Sequence, residues 1–327
     1  MLSLFAKLVS PKTTSQRSEA FIACTFVLFF SLTVSLPAWS QMDEPTHRST
    51  LVIGKVSNNP KKHYAYFKPI ADYVVSKMSD LGIREAEVLF AKNDEEMIRY
   101  LTAGRIDWVS ESVFSALKYQ EEADAELLLR KWKKGVPDYH TVFIVRKDSG
   151  ITKLSDLIGK KLALEDAGST TAFFLPMVEL LQHQLTPAAM LSPRENVKST
   201  AVGYAFARQE INLATWVHKG VTHAGAYSNL DWDKDDHTPE AFKQDLHIIH
   251  RTKAVPRAIE LVNKSMDSKR KLRLKEILLA MHKDPKGKAV LKQYQKTSKF
   301  DELTPELLVQ LETVRGMFRT VEAVLVK

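Results

Sequence analysis

Apolar positions along this chain fall into two alternating patterns. Leu51-Val52-Ile53-Gly54-Lys55-Val56 is an apolar run of strand length, closed by the turn-rich Ser57-Asn58-Asn59-Pro60. Phe67, Ile70, Ala71 and Val74 then fall at helical spacing and predict a helix over 64–78. The alternation repeats with a strand over 86–91 and a helix over 94–103, which carries Met97, Ile98 and Leu101 on one face. Gly104 ends that helix, where a left-handed residue is favoured. A strand over 106–109 and a helix over 113–120 follow. Strands alternating with helices of this length predict βαβ units and mainly parallel sheets.

The second half continues the pattern. Tyr139-His140-Thr141-Val142-Phe143-Ile144-Val145 predicts a long strand, and 154–159 a one-turn helix stopped by Gly159. Lys161-Leu162-Ala163-Leu164-Glu165 opens a fresh α/β unit, followed by Ala167-Gly168-Ser169-Thr170-Thr171 and a helix to about Gln184. A helix over 211–218, strands over 221–226 and 247–250, and amphipathic helices over 269–283 and 305–324 complete the chain. There is no internal repeat or low-complexity linker. The path goes out near 139–146 and returns near 246–257. This predicts an α/β fold of two interleaved lobes, one of 50–145 plus 252–327 and one of 146–251. Ligands of such folds sit in the cleft, at the carboxyl ends of strands.

The first forty residues stand apart. Lys7, Lys12 and Arg17 precede the apolar stretch 20–36, and Pro37-Ala38-Trp39-Ser40 supplies small residues before Gln41. That order is a secretory signal, with an uncleaved anchor as the alternative. Arg17 has no arginine neighbour, so a twin-arginine signal is not expected. The one cysteine, Cys24, lies in this leader. The mature chain would then hold no disulfide, thiol nucleophile or thiolate metal site, which suits the bacterial periplasm. The net charge of +8 becomes +6 once Lys7, Lys12, Arg17 and Glu19 are removed. The cations are scattered among acids with no aromatic-basic stripe, so no nucleic-acid partner is expected. A mild positive field would help an anion to arrive.

The best candidate chemistry is Gly168-Ser169-Thr170-Thr171 at a strand-to-helix junction. Gly168 permits a tight turn, Ser169 or Thr170 caps the helix, and free N–H groups with the helix dipole favour an anion. The spacing alone favours an ordinary cap with nothing bound. No Gly-Lys-Ser/Thr follows, so this is not a P-loop. Pro176 should kink or shorten the helix. His218, His223, His237, His247 and His250 cluster in sequence. On a regular strand His247 and His250 point to opposite faces, so no metal site is expected. No Gly-x-Ser-x-Gly elbow or His-Glu-x-x-His occurs, and no cofactor is expected.

The block from Tyr139 to Ile151, continued through Leu154-Ser155-Asp156-Leu157-Ile158-Gly159-Lys160-Lys161 to Gly168-Ser169-Thr170-Thr171, resembles the periplasmic phosphonate/phosphate-type solute-binding proteins of ABC transporters. Ala103-Gly104-Arg105-Ile106-Asp107 and Asp284-Pro285-Lys286-Gly287-Lys288-Ala289-Val290-Leu291 add weaker matches. The resemblance implies a type II periplasmic-binding fold that closes on a small oxyanion, such as phosphonate, phosphate or phosphite. It implies that Ser169, Thr170 and Thr171 grip the oxygens and that Tyr139 is the aromatic at the hinge. Departures are Ala172 for a glycine, His223 for an aspartate and Asp94 for a tyrosine. The resemblance places Ser110 and Glu111 in the site after the third strand, and Glu210 before the 211–218 helix. Glu111 beside an anion is unfavourable unless the ligand also carries a cation or proton. The implied protein is a monomeric binder rather than an enzyme, docking on a membrane ABC permease. A receptor of the same fold signalling to a membrane histidine kinase is the alternative, and a periplasmic enzyme the third reading.

Overall fold

The computed structural model describes residues 49–325. The expected leader, with Cys24, lies outside the described residues. No described helix is long and apolar enough to cross a membrane.

The first run of elements is β1 (Thr50–Val56), α1 (Pro60–Val75), β2 (Glu85–Ala91), α2 (Asp94–Thr102), β3 (Trp108–Glu111), α3 (Val113–Ala123) and β4 (Glu126–Lys131). The chain then crosses through β5 (Asp138–Tyr139). Next come β6 (Thr141–Arg146), β7 (Lys161–Leu164), a π-helical turn (Thr170–Phe174), α4 (Leu175–Gln182), β8 (Pro187–Ala189) and β9 (Val202–Phe206). They are followed by α5 (Glu210–His218), β10 (Ala224–Ser228), α6 (Asn229–Trp232), α7 (Glu240–Asp245) and β11 (Leu246–Arg251). It returns through β12 (Val255–Pro256) to β13 (Ile259–Val262), α8 (Ser268–Ala280), α9 (Pro285–Gln293), β14 (Phe300–Asp301) and α10 (Pro305–Leu325).

These strands form two six-stranded sheets, ordered β14-β4-β13-β3-β1-β2 and β11-β6-β10-β7-β9-β8. In each, the βαβ strands pair parallel and the crossing or returning strands pair antiparallel. The two crossings run side by side as a short ladder, with Tyr139 opposite Val255. Sequence reading ended the first segment at 145, but β6 hydrogen-bonds along its length with β10 and β11, so 141–145 go with the second sheet. The expected 139–145 strand is broken at His140 into β5 and β6.

Several boundaries moved for physical reasons. α1 begins at Pro60, four residues earlier than the predicted start at 64. Asn59 accepts from the Lys62 N–H, and Pro60 occupies the first turn, where a missing N–H costs nothing. Pro176 opens α4 through a π turn. A proline cannot serve the carbonyls of Ala172 or Thr171. These accept instead from the Glu165 N–H at 3.2 Å and the Thr141 hydroxyl at 2.7 Å.

One apolar cluster lies under α1, α8 and α9, around Phe67, Trp108 and Tyr294. A smaller one lies between the second sheet and α5, around Val142, Ile144 and Leu213. The largest runs through both sheets and includes Phe114, Phe143, Phe174 and Phe318.

Candidate functional site

A cavity of about 1000 Å³ opens between the two sheets. The first sheet brings Lys55, Asp94, Ser110, Glu111 and Lys133 to it. The second brings Glu165, Gly168, Ser169 and Arg208, and Phe114 and Phe174 meet at its edge. The carboxyl ends of β1, β3 and β7 converge here, as the open-sheet rule requires.

On the second-sheet wall, Ser169 is the cap of the π turn, and its hydroxyl accepts from the Ala172 N–H at 3.2 Å. The N–H groups of Thr170 and Thr171 belong to the same first turn, where orphan donors and the dipole attract negative charge. Thr170 is buried, and its hydroxyl accepts from the backbone N–H of Phe114 at 3.2 Å, tying this turn to α3. Thr171 is buried as well.

On the opposite wall, the Glu111 carboxylate accepts from Lys55 and from the Val56 N–H at 3.3 Å. The pairing follows from strand order, because β1 and β3 are neighbours. It cancels most of the penalty that an isolated carboxylate would impose on an anion. Ser110 accepts from Lys131, whose ammonium also donates to Gln295 at 2.9 Å and lies 3.8 Å from Glu260. Lys131 is fully buried, and burial holds its pKa below the ordinary lysine value. Lys133 is held well below that value too, first by burial and then by the charges of Arg257, Lys55 and Lys131. Lys55 and Lys133 line the cavity, and an anion held beside Lys133 would favour the charged amine that burial and the neighbouring cations disfavour.

Two of the acids that line the cavity have raised pKa values. Asp94 accepts from Tyr119 and from Ser115, and burial followed by the charge of Glu111 raises its pKa. Glu165 is pushed up to about 7, first by burial and then by Glu210.

Of the residues singled out from sequence, Ser169, Ser110 and Glu111 line the cavity. Tyr139 is buried in the crossing ladder, with the Arg257 guanidinium 4.4 Å from its ring centre. Glu210 opens α5 and sits with Asp231 and His237 in a half-buried group. There His237 shares hydrogen bonds with Asp231 at 2.8 Å and Lys234 at 2.9 Å. His223 is misplaced by the sequence reading. The strand runs over 224–228, not 221–226, so His223 lies at its amino end, where Nδ1 accepts from the Lys161 N–H at 3.1 Å. The cavity is reached at the other end of β7, about 13 Å away at strand rise.

A second correction concerns His247 and His250. β11 is irregular between Ile248 and His250, so His247 pairs with Val145 and His250 with Phe143. Val145 and Phe143 share a face of β6, and the bulge therefore places both histidines on one face. Sequence reasoning passed over Lys55, Lys133 and Glu165. The signal for Lys55 and Glu165 was their position at or beside the carboxyl ends of strands.

The family model for the periplasmic phosphonate substrate-binding protein of ABC transporters matches residues 55–308. The phosphonates-binding periplasmic protein of Escherichia coli (strain K12) is 23% identical over 282 residues, covering 84% of this chain and 78% of that protein. XAC2383 from Xanthomonas citri, solved bound to chloride ion and bound to ATP, is 39% identical, with TM-scores of 0.81 and 0.80 over 84% of this chain and 99% of that one. PhnD1 from Prochlorococcus marinus, solved with methylphosphonate, shares the fold at TM-score 0.62 and 14% identity, over 84% of this chain and 98% of its own. These matches favour a transporter component over a sensor. The two-lobed fold and the family match over residues 55–308 together place the chain among the periplasmic phosphonate substrate-binding proteins of ABC transporters.

Proposed function

We propose that this protein captures a phosphonate- or phosphate-bearing solute in the cavity between its sheets and delivers it to a membrane permease without chemical turnover. The observation that carries the ligand class is the opposition of two features across one cavity. The Ser169 cap and the orphan N–H groups of Thr170 and Thr171 face a wall whose cations, Lys55 and Lys133, lie among further positive charge. Ser169 and those two N–H groups take the oxyanion oxygens, and the bound anion favours the charged form of Lys133, which donates to it. Thr170 contributes through its backbone, since its hydroxyl is engaged by Phe114. Tyr139 orders the crossing ladder, and Glu210 tunes Glu165 from behind. The chain acts as a monomer in the periplasm, exported by the leader over 1–40.

The cavity is larger than a bare oxyanion needs, and the Xanthomonas citri relative has been solved with ATP. Phosphate esters therefore belong beside phosphonates in the ligand set. The test is calorimetry with methylphosphonate, an aminoalkylphosphonate, phosphate, ATP and an alkylsulfonate. At least one phosphorus oxyanion should bind and raise the melting temperature. Lys133→Met and Ser169→Ala should each weaken it about tenfold, the scale of one charge-assisted hydrogen bond. Absence of binding across the panel, or unchanged affinity in both variants, refutes this assignment.

A further inference from the structure

We propose that Glu179, His183 and His250 form a binding site for a divalent transition-metal ion of the zinc class, on the face of the second sheet that α4 covers. Their ligand atoms all lie within 4.8 Å of one another. Glu179 and His183 are four residues apart at the end of α4 and so share a helix face. His250 comes from β11, and only the bulge before it turns its ring toward α4. Phe143 backs the ring, edge-on at 5.7 Å.

The donor chemistry and spacing fit such an ion. The Nε2 atoms of His250 and His183 stand 2.9 and 3.7 Å from the same Glu179 oxygen. These separations bracket the roughly 3.3 Å that two ligands keep on a tetrahedral zinc with bonds near 2 Å. Two imidazoles and one carboxylate leave a fourth position open, as a zinc site with three protein ligands does.

The contrast with the other acid–histidine group is informative. In Glu210, Asp231 and His237, the Lys234 ammonium already lies 2.9 Å from Nε2 of His237. That group carries its own cation. Among the described residues no lysine or arginine is paired with Glu179, whose carboxylate meets only the two imidazoles. α4 continues from the Ser169 turn, and His183 is about 14 Å along it from Phe174 at helical rise. A metal would pin to β11 the far end of the helix that opens at the cavity.

The test is zinc titration of the purified, tag-free protein at neutral pH, by calorimetry and by the visible spectrum of the cobalt-substituted form. One zinc per chain should bind in the micromolar range and raise the melting temperature. His183→Ala and His250→Ala should each weaken it about tenfold or more, while His237→Ala leaves it unchanged. His183 is half exposed, so its removal should leave the fold intact. Absence of uptake at hundred-micromolar zinc overturns the site, as does an affinity that survives both substitutions. Loss of zinc binding in His237→Ala with retention in the other two would move the metal to the other group and equally overturn it.

Discussion

Glu165 joins the site to pH. Burial first, and the charge of Glu210 next, push its carboxyl up to about 7. The folded protein therefore holds a proton that the unfolded chain releases between about pH 4.5 and 7. Stability from the neutral form is complete below about 4.5 and is lost as pH rises through about 7. Glu165→Gln, which mimics that form, should change little near pH 4 and stabilise by about 1–3 kcal/mol near pH 8. Urea unfolding at both pH values checks it, and equal effects at the two would refute the assignment. Anion affinity should likewise grow as pH falls through about 7, and the glutamine variant should flatten that growth relative to the wild type. Two parallel profiles would show that Glu165 does not feel the ligand. At this scale the sequence was a partial guide. Spacing and family likeness led to Ser169 and Glu111. The partner of Glu111 is Lys55, which is distant along the chain but on the neighbouring strand. Periodicity within a window does not contain strand order, so the acid supplied by family likeness came without its counter-charge. His223 came from family likeness alone, and it lies just before the first residue of β10, at the end away from the cavity.

Among the elements, α9 shows how closely local rules and packing agree. Asp284 caps it by accepting from the Lys286 N–H at 3.2 Å, and Pro285 fills the first turn. The Tyr73 hydroxyl donates to the same aspartate at 2.6 Å, fixing α9 against α1. Gly287 is required because a Cβ there would stand 2.3 Å from the Met281 carbonyl oxygen. That neighbour is backbone and cannot rotate away. Gly287→Ala should cost about 3 kcal/mol, the upper range for overpacking, read as a lower denaturation midpoint at unchanged slope. A loss below about 0.5 kcal/mol would mean that the turn before α9 yields freely. In the sequence this run stood out only as a weak family match, although an Asp-Pro pair is a helix-start signal. What stayed hidden was β4, whose Leu127-Leu128-Leu129 run carries no helix or strand period of its own. The bulge in β11 was hidden too, because it is set by pairing with β6.

For the whole molecule, the question is what makes two sheets behave as one body. The ladder of β5 and β12 is only two residues on each side. A larger bond is apolar. Phe114 from α3 stacks on Phe174 at 3.3 Å between ring centres, and Phe318 of α10 packs edge-on to both, at 5.2 and 4.7 Å. All three belong to the cluster that continues into both sheets. The out-and-back path of the chain foretold two crossings. It gave no reason to place the last helix against α4, since the amphipathic stripe of α10 fits any apolar surface. Because Phe318 touches a side chain from each half, its removal should weaken both together. Phe318→Ala should cost about 3–5 kcal/mol, the range for deleting a buried aromatic. Tryptophans report on each half, Trp108 on β3 and Trp216 on α5. In the wild type their transitions should coincide, as one cooperative unit requires. In the variant both should move to lower denaturant. If only one tryptophan shifts while the other keeps its wild-type midpoint, Phe318 serves a single lobe and the crossing ladder alone joins the two.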